Sequence, residues 1–147
     1  MILPDADATF AAGRSLAPHV RIGDVIALSG NLGMGKTLFA KGLIEGLGFE
    51  GDVPSPSFAL VIPYDPPMVR LPVWHVDLYR LEDPDEAWEL GLDDALFDAA
   101  LVVEWPERLG SSLWPEALQI ALEPQLPGGR RLTVSVPPSW EARCPFQ

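Results

Sequence analysis

The apolar and polar positions begin with a helical rhythm and then change to short apolar runs. Residues 7–20 (DATFAAGRSLAPHV) pattern as an amphipathic helix, with Asp5 or Asp7 placed to cap it and Pro18 near its end. Gly23 and Asp24 turn the chain into VIALS (25–29), an apolar run of the kind that fills a buried parallel strand. A glycine-rich stretch follows at once. Beyond it Phe39, Leu43 and Leu47 recur every four residues, which puts them on one face of a second helix, and Gly48 suits its C-terminal stop.

Residues 51–57 (GDVPSPS) read as an irregular loop, FALVIPY (58–64) as a strand and DPP (65–67) as a turn. VWHVDLY (73–79) predicts another strand. Its alternation sends His75, Asp77 and Tyr79 to one face and Trp74, Val76 and Leu78 to the other. Asp83, Pro84 and Glu86 supply a cap, a first-turn proline and a capping-box acid for a short helix that Gly91 ends. LVVEW (101–105) predicts a buried strand with a carboxylate at its end, stopped by Pro106. ALQIALE (117–123) and RLTVSV (131–136) predict a final hairpin across PQLPGG. Residues 137–147 read as a C-terminal tail, with Trp140 and Phe146 available to hold it down.

Composition narrows the function classes. At 147 residues and 48% hydrophobic, the chain fits one domain over 1–147 with a real core. No apolar run reaches the ~18 residues of a membrane span. MILPDADATF has no basic segment leading an apolar one, so it is not a secretory signal. Cys144 is the only cysteine, which excludes an intrachain disulfide. The expectation is a cytoplasmic protein without a membrane partner. The net charge of −11 is uneven: residues 51–100 carry Arg70 and Arg80 against eleven Asp or Glu. Such a surface repels a phosphate backbone and argues against broad nucleic-acid binding. It suits a basic protein partner, and reads more plainly as a solvated face.

GNLGMGKT (30–37) brings the first specific chemistry: glycine, four residues, then Gly-Lys-Thr, with a strand before it and a helix after it. Lys36 is one of only two lysines, the other being Lys41. Gly30, Gly33 and Gly35 let several backbone N–H groups converge on one point, and the helix N-terminus adds positive potential there. Lys36 would reach the β- and γ-phosphates and the Thr37 hydroxyl would hold Mg2+. The expected nucleotide contacts are Gly30, Asn31, Leu32, Gly33, Met34, Gly35, Lys36, Thr37 and Leu38. Guanine-specific proteins of this kind usually carry Asn-Lys-x-Asp. The single asparagine here, Asn31, lies inside the loop, so ATP is favoured. Thr9 and Phe10 are weak candidates for an adenine contact and read more readily as ordinary helix residues.

Two carboxylates stand at the ends of apolar strands, Asp77 in HVDLY and Glu104 in LVVEW. A lone acid there is costly unless paired or metal-bound, so both are candidates for metal and water chemistry beside the loop. The plainer readings are a strand-end head reaching water for Glu104, and a structural acid paired to Arg80 or His75 for Asp77. Ser55 and Ser57 sit where a switch loop would sense the γ-phosphate, or simply in a proline-rich turn. His75 reads as a neutral structural histidine. Trp105 either packs over the nucleotide or fills core.

GDVIALSGNLGMGKT, VPSPSFALV, HVDLYRL, ELGL and VVEWPERL occur in this order and spacing, and together they resemble the TsaE (YjeE) family over roughly residues 9–136. The phosphate loop alone is shared by many families; HxDxYR and EWP combined with SPSF are far more specific. The resemblance implies an α/β, P-loop NTPase-like three-layer fold with a mixed, partly antiparallel sheet. It implies an ATPase, weak alone, that uses ATP and Mg2+ and serves tRNA threonylcarbamoyladenosine synthesis. It implies TsaD and TsaB as protein partners, with tRNA met only through their complex. Carried over by motif, Lys36 and Thr37 bind phosphate and Mg2+, Asp77 and Glu104 are the acids tied to metal and hydrolysis, and Trp105 belongs to the EW pair. Ser57 stands where the family commonly has Thr and keeps the hydroxyl. VIPYDPPMVRLPVW is longer and more proline-rich than usual. Two other readings share the loop: a small-molecule or nucleotide kinase, which would need an acceptor pocket and usually an Arg-rich lid, and a nucleotide-gated binding module in which ATP orders residues 51–57.

Overall fold

The computed structural model describes residues 1–31, 33–56 and 60–146. Among the described residues seven strands form one sheet: β1 (Ile2–Leu3), β2 (Val25–Ser29), β3 (Val61–Tyr64), β4 (Val73–Asp77), β5 (Ala100–Glu104), β6 (Leu118–Pro124) and β7 (Arg130–Ser135), in the order β1-β7-β6-β2-β5-β4-β3. The middle is parallel, with β2 between β5 and β6 and β4 beside β5. The edges are antiparallel, through β3 on β4, β7 on β6 and β1 on β7. This is a mixed sheet with helices on both faces, as expected for an α/β P-loop fold.

The two faces carry separate cores, and strand alternation sorts them. Ile26, Leu28, Val102, Leu118 and Ile120 face α1 (Ala6–Leu16) and α2 (Lys36–Gly46), whereas Val25, Ala27, Leu101 and Val103 face α3 (Asp85–Glu89) and α4 (Leu92–Ala95). A sheet covered on both sides needs near-continuous apolar strands, which is why VIALS and ALVV lack a polar face.

The first helix is shorter than its periodicity predicts. Asp5 caps it, accepting from the Ala8 N–H at 2.8 Å, but the α-helix stops at Leu16 and continues as a 3₁₀ turn over Ala17–His19. Pro18 explains the change, because it has no N–H with which to continue the α-helical ladder, although Ala17 before it keeps helical dihedrals (φ −51°, ψ −44°). Helices α1 and α2 pack backbone to backbone. A Cβ at Gly13 would run into the Phe39 carbonyl, and one at Gly42 into the Phe10 carbonyl. That close approach fixes the helix that follows the glycine loop.

Beyond Gly91, whose φ is +77°, α4 adds a turn of helix absent from the sequence expectation. The hairpin β6–β7 forms with Gln119 opposite Ser135 and Pro124 opposite Arg130. The C-terminal residues are docked: Trp140 is fully buried, and Phe146 lies 6.2 Å from Phe39 between ring centroids. Arg143 stacks on Trp140 and donates to both oxygens of Asp24 at 2.6 and 2.7 Å, and to the His19 carbonyl at 2.7 Å. Charge-assisted bonds in a partly buried setting fasten this segment more firmly than an exposed ion pair would.

Candidate functional site

Register brings the candidate residues together. Leu28 on β2 pairs with Glu104 on β5, and Glu104 pairs with Asp77 on β4. The ends of three parallel strands therefore meet at one edge, where β2 runs into the glycine loop. Open α/β sheets place ligands at the carboxyl ends of their strands for this reason.

The loop geometry follows from its glycines. Gly35 caps α2 at φ +96°, a left-handed conformation that a side chain would strain. Gly30 has φ +142°, and a Cβ there would press on the Leu122 carbonyl of β6. The loop thus lies flat against the sheet and presents the α2 N-terminus to a cavity of about 290 Å³. It is lined by Gly33, Met34, Gly35, Lys36, Thr37 and Leu38 together with Asp77, Glu104, Trp105 and Arg130. Gly30 and Asn31 line a neighbouring hollow with Glu107.

Lys36 is folded inward. Its ammonium donates to the Gly30 carbonyl, more distantly to the Asn31 carbonyl at 3.4 Å, and lies 3.6 Å from the centre of the Trp105 ring. Burial lowers its pKa from the ordinary lysine value, and the nearby carboxylates of Glu104, Glu107 and Asp77 oppose that shift. A buried ammonium facing a cavity is held ready for an anion. The indole reaches this position because Trp105 adopts φ +60° and ψ +50°, left-handed backbone rare for a bulky residue. Strain of this type costs of order 1–3 kcal/mol and tends to cluster at functional sites. Tyr79 packs against the same indole, with ring centroids 4.8 Å apart.

The acids sit opposite the helix. Glu104 is 2% exposed. Its Oε1 accepts from the Thr37 hydroxyl at 2.7 Å, and its Oε2 lies 2.7 Å from His75 Nε2. His75 is fully buried on β4. Asp77 is 5% exposed and ends β4, its Oδ1 accepting the Tyr79 N–H at 2.9 Å. A hydroxyl and two carboxylates converging at a helix N-terminus form a hard-oxygen set, which suits Mg2+. Among the described residues no three His, Cys, Asp or Glu cluster into a metal cage.

Comparison with known proteins narrows this geometry. A family model described as threonylcarbamoyl adenosine biosynthesis protein TsaE matches residues 3–132. The chain belongs to the TsaE family. A TsaE of Streptomyces coelicolor, named for tRNA threonylcarbamoyladenosine biosynthesis, is 42% identical over 112 residues, 76% of each chain. The TsaE of Bacillus subtilis is 40% identical over 116 residues, 78% of this chain and 71% of its own. The crystal structure of Bacillus subtilis YdiB superposes with a TM-score of 0.75 at 32% identity, covering 90% of this chain and 80% of that one. As a TsaE, the chain takes part in tRNA threonylcarbamoyladenosine biosynthesis at the level of its family.

Of the site residues expected in this TsaE, Leu32 and Ser57 lie outside the described residues. The others gather around the loop and its two cavities. Thr9, a weak adenine candidate, is buried beneath the loop, with its methyl close to where a Cβ at Gly35 would fall. The reading of His75 as a structural histidine needs enlarging, since it bonds to Glu104 rather than only filling core. Arg130 has no counterpart in the sequence reading. It begins β7, donates to the Gly33 carbonyl at 3.2 Å, and has its Nε buried without a hydrogen-bond partner. A local pattern marks it only as the residue after a Gly-Gly turn; its place beside the loop comes from the hairpin register. No helix among the described residues is long and apolar enough to cross a membrane.

Proposed function

We propose that this chain binds Mg2+–ATP at the Gly30–Thr37 loop and hydrolyses it as the ATP-driven component that acts with TsaD and TsaB in making threonylcarbamoyladenosine on tRNA. The observation that carries the reading is the 2.7 Å bond from Thr37 to Glu104. It joins the hydroxyl of the phosphate loop to the strand-end acid where a P-loop enzyme needs both. Loop N–H groups and Lys36 would hold the β- and γ-phosphates. Thr37 would offer its hydroxyl to the metal, with Glu104 and Asp77 on hand to fix metal-bound and attacking water. Bound Mg2+ would neutralise charge on the transferring phosphoryl group. Water adds to the γ-phosphorus as the bond to the ADP oxygen breaks, and ADP, phosphate and the proton given up by the water leave.

Among the described residues Arg130 is the one arginine lining the cavity. A partner-completed site fits that better than a kinase does, and a screen of phosphoacceptors with labelled ATP should therefore give no transfer. Arg130 lines the cavity beside Gly33, where its guanidinium is placed to meet the nucleotide. Calorimetric titration should show Mg2+-dependent ATP binding, with GTP much weaker. Arg130→Ala should weaken ATP binding about tenfold, as expected for losing one charge-assisted bond. Binding of GTP equal to ATP would overturn the nucleotide assignment, and an unchanged constant would remove Arg130 from the site.

A further inference from the structure

The reaction proposed above asks Glu104 to hold one orientation, and the fold places an otherwise idle polar side chain directly behind it. His75 lies in the middle of β4, paired in register with Ile62 of β3 and Val102 of β5. Its Nε2 is 2.7 Å from Glu104 Oε2, and its Nδ1 has no hydrogen-bond partner. A leucine would fill the same space without stranding a nitrogen. What the imidazole adds is one hydrogen bond to Glu104.

For a neutral imidazole the contact favours one nitrogen as the carrier of the hydrogen. With the hydrogen on Nδ1, two lone pairs would face each other across 2.7 Å and an N–H would be buried unpaired. With it on Nε2, the contact is a donor meeting a carboxylate. Both oxygens of Glu104 are then committed, Oε2 to His75 and Oε1 to Thr37. We propose that His75 is a positioning residue, whose Nε2–H locks the rotation of the Glu104 carboxylate and so aims Oε1 at the Thr37 hydroxyl and the metal position beside it. The inference rests on the Mg2+–ATP reading of the site. Partners of this type behind metal-binding groups orient them and are often as important as the groups themselves.

The test compares His75→Leu, which removes the donor, with His75→Gln, whose side-chain N–H reaches the same oxygen. His75→Leu should bind metal-free nucleotide as the wild type does. It should need roughly tenfold more Mg2+ for half-saturation with a fluorescent ATP analogue, and its kcat should fall roughly 10- to 100-fold with little change in KM. His75→Gln should recover most of both losses. In a Glu104→Ala background His75→Leu should cost nothing further, because the two residues act as one unit. Long-range proton–nitrogen spectra of the nucleotide-free protein should place the hydrogen on Nε2, and Glu104→Ala should abolish that preference. Wild-type Mg2+ dependence and kcat in His75→Leu, additive losses in the double variant, or a hydrogen on Nδ1 would each overturn the inference. A wild-type chain that binds no Mg2+–ATP sinks the functional reading instead, and the imidazole spectrum then still decides the hydrogen bond.

Discussion

Glu104→Gln is expected to bind ATP nearly as well as the wild type once Mg2+ is saturating and to hydrolyse it roughly 10²- to 10⁴-fold more slowly, the range typical of losing a positioned acid–base group. The substitution keeps the volume at a site that is 2% exposed and removes only the charge. Phosphate contacts from Lys36 and the loop amides survive, so affinity should change little. Orientation of the attacking water does not survive, because a neutral amide is a poor acceptor and must also meet both Thr37 and His75. Single-turnover hydrolysis beside calorimetric binding separates the two effects. Normal hydrolysis by Glu104→Gln would remove Glu104 from the chemistry and leave Asp77, its register neighbour, as the working acid.

Lys36→Met should show the opposite division, losing binding while leaving the nucleotide-free fold intact. A charge-assisted bond to phosphate contributes about 1.5–3 kcal/mol, which corresponds to roughly 10- to 150-fold in affinity for each bond lost. The empty protein gains little from this ammonium. Burial lowers the Lys36 pKa below 10.5, so the folded state disfavours its charged form relative to the unfolded chain. The sign follows from proton counting. Between the lowered pKa and 10.5 the unfolded chain binds more protons, so this group makes wild-type stability rise with pH across that window. Lys36→Met lacks that rise. Urea denaturation without nucleotide should place the variant within about 1 kcal/mol of the wild type near neutral pH. The wild type should gain on it as pH approaches the ordinary lysine range. ATP should raise the thermal midpoint of the wild type alone, since only a chain that binds ligand is stabilised by it. A large loss of stability in the empty variant would mean that Lys36 is structural.

Much of this arrangement is legible in local pattern. VIALS, the glycine loop and the Phe39–Leu43–Leu47 stripe lie next to one another in sequence, so the strand, turn and helix follow from neighbouring residues. The same holds for the final hairpin, whose two strands flank a turn rich in proline and glycine. Asp77 and Glu104 stand out because an acid ending an apolar run is chemically anomalous. What the pattern does not carry is register. That Glu104 lies opposite both Leu28 and Asp77 is a property of strand order, and the two acids are separated by α3 and α4. Arg130 is invisible for the same reason, because its neighbour Gly33 is 97 positions away. His75 is visible but ambiguous: alternation places it inside, yet only the structure supplies Glu104 as its partner. Short elements also escape. β1 has two residues and α4 has four, too few to set up a period. Docking of the C-terminal segment depends on Arg143 meeting Asp24, a long-range pairing that composition cannot reveal.

Steady-state ATP turnover by the purified chain, alone and then with TsaD and TsaB from the same cell, tests the proposed function most directly. Slow Mg2+-dependent hydrolysis alone, rising when both partners are added and lost in Glu104→Gln, is the expected result. Fast hydrolysis by the isolated chain that TsaD and TsaB leave unchanged would contradict it.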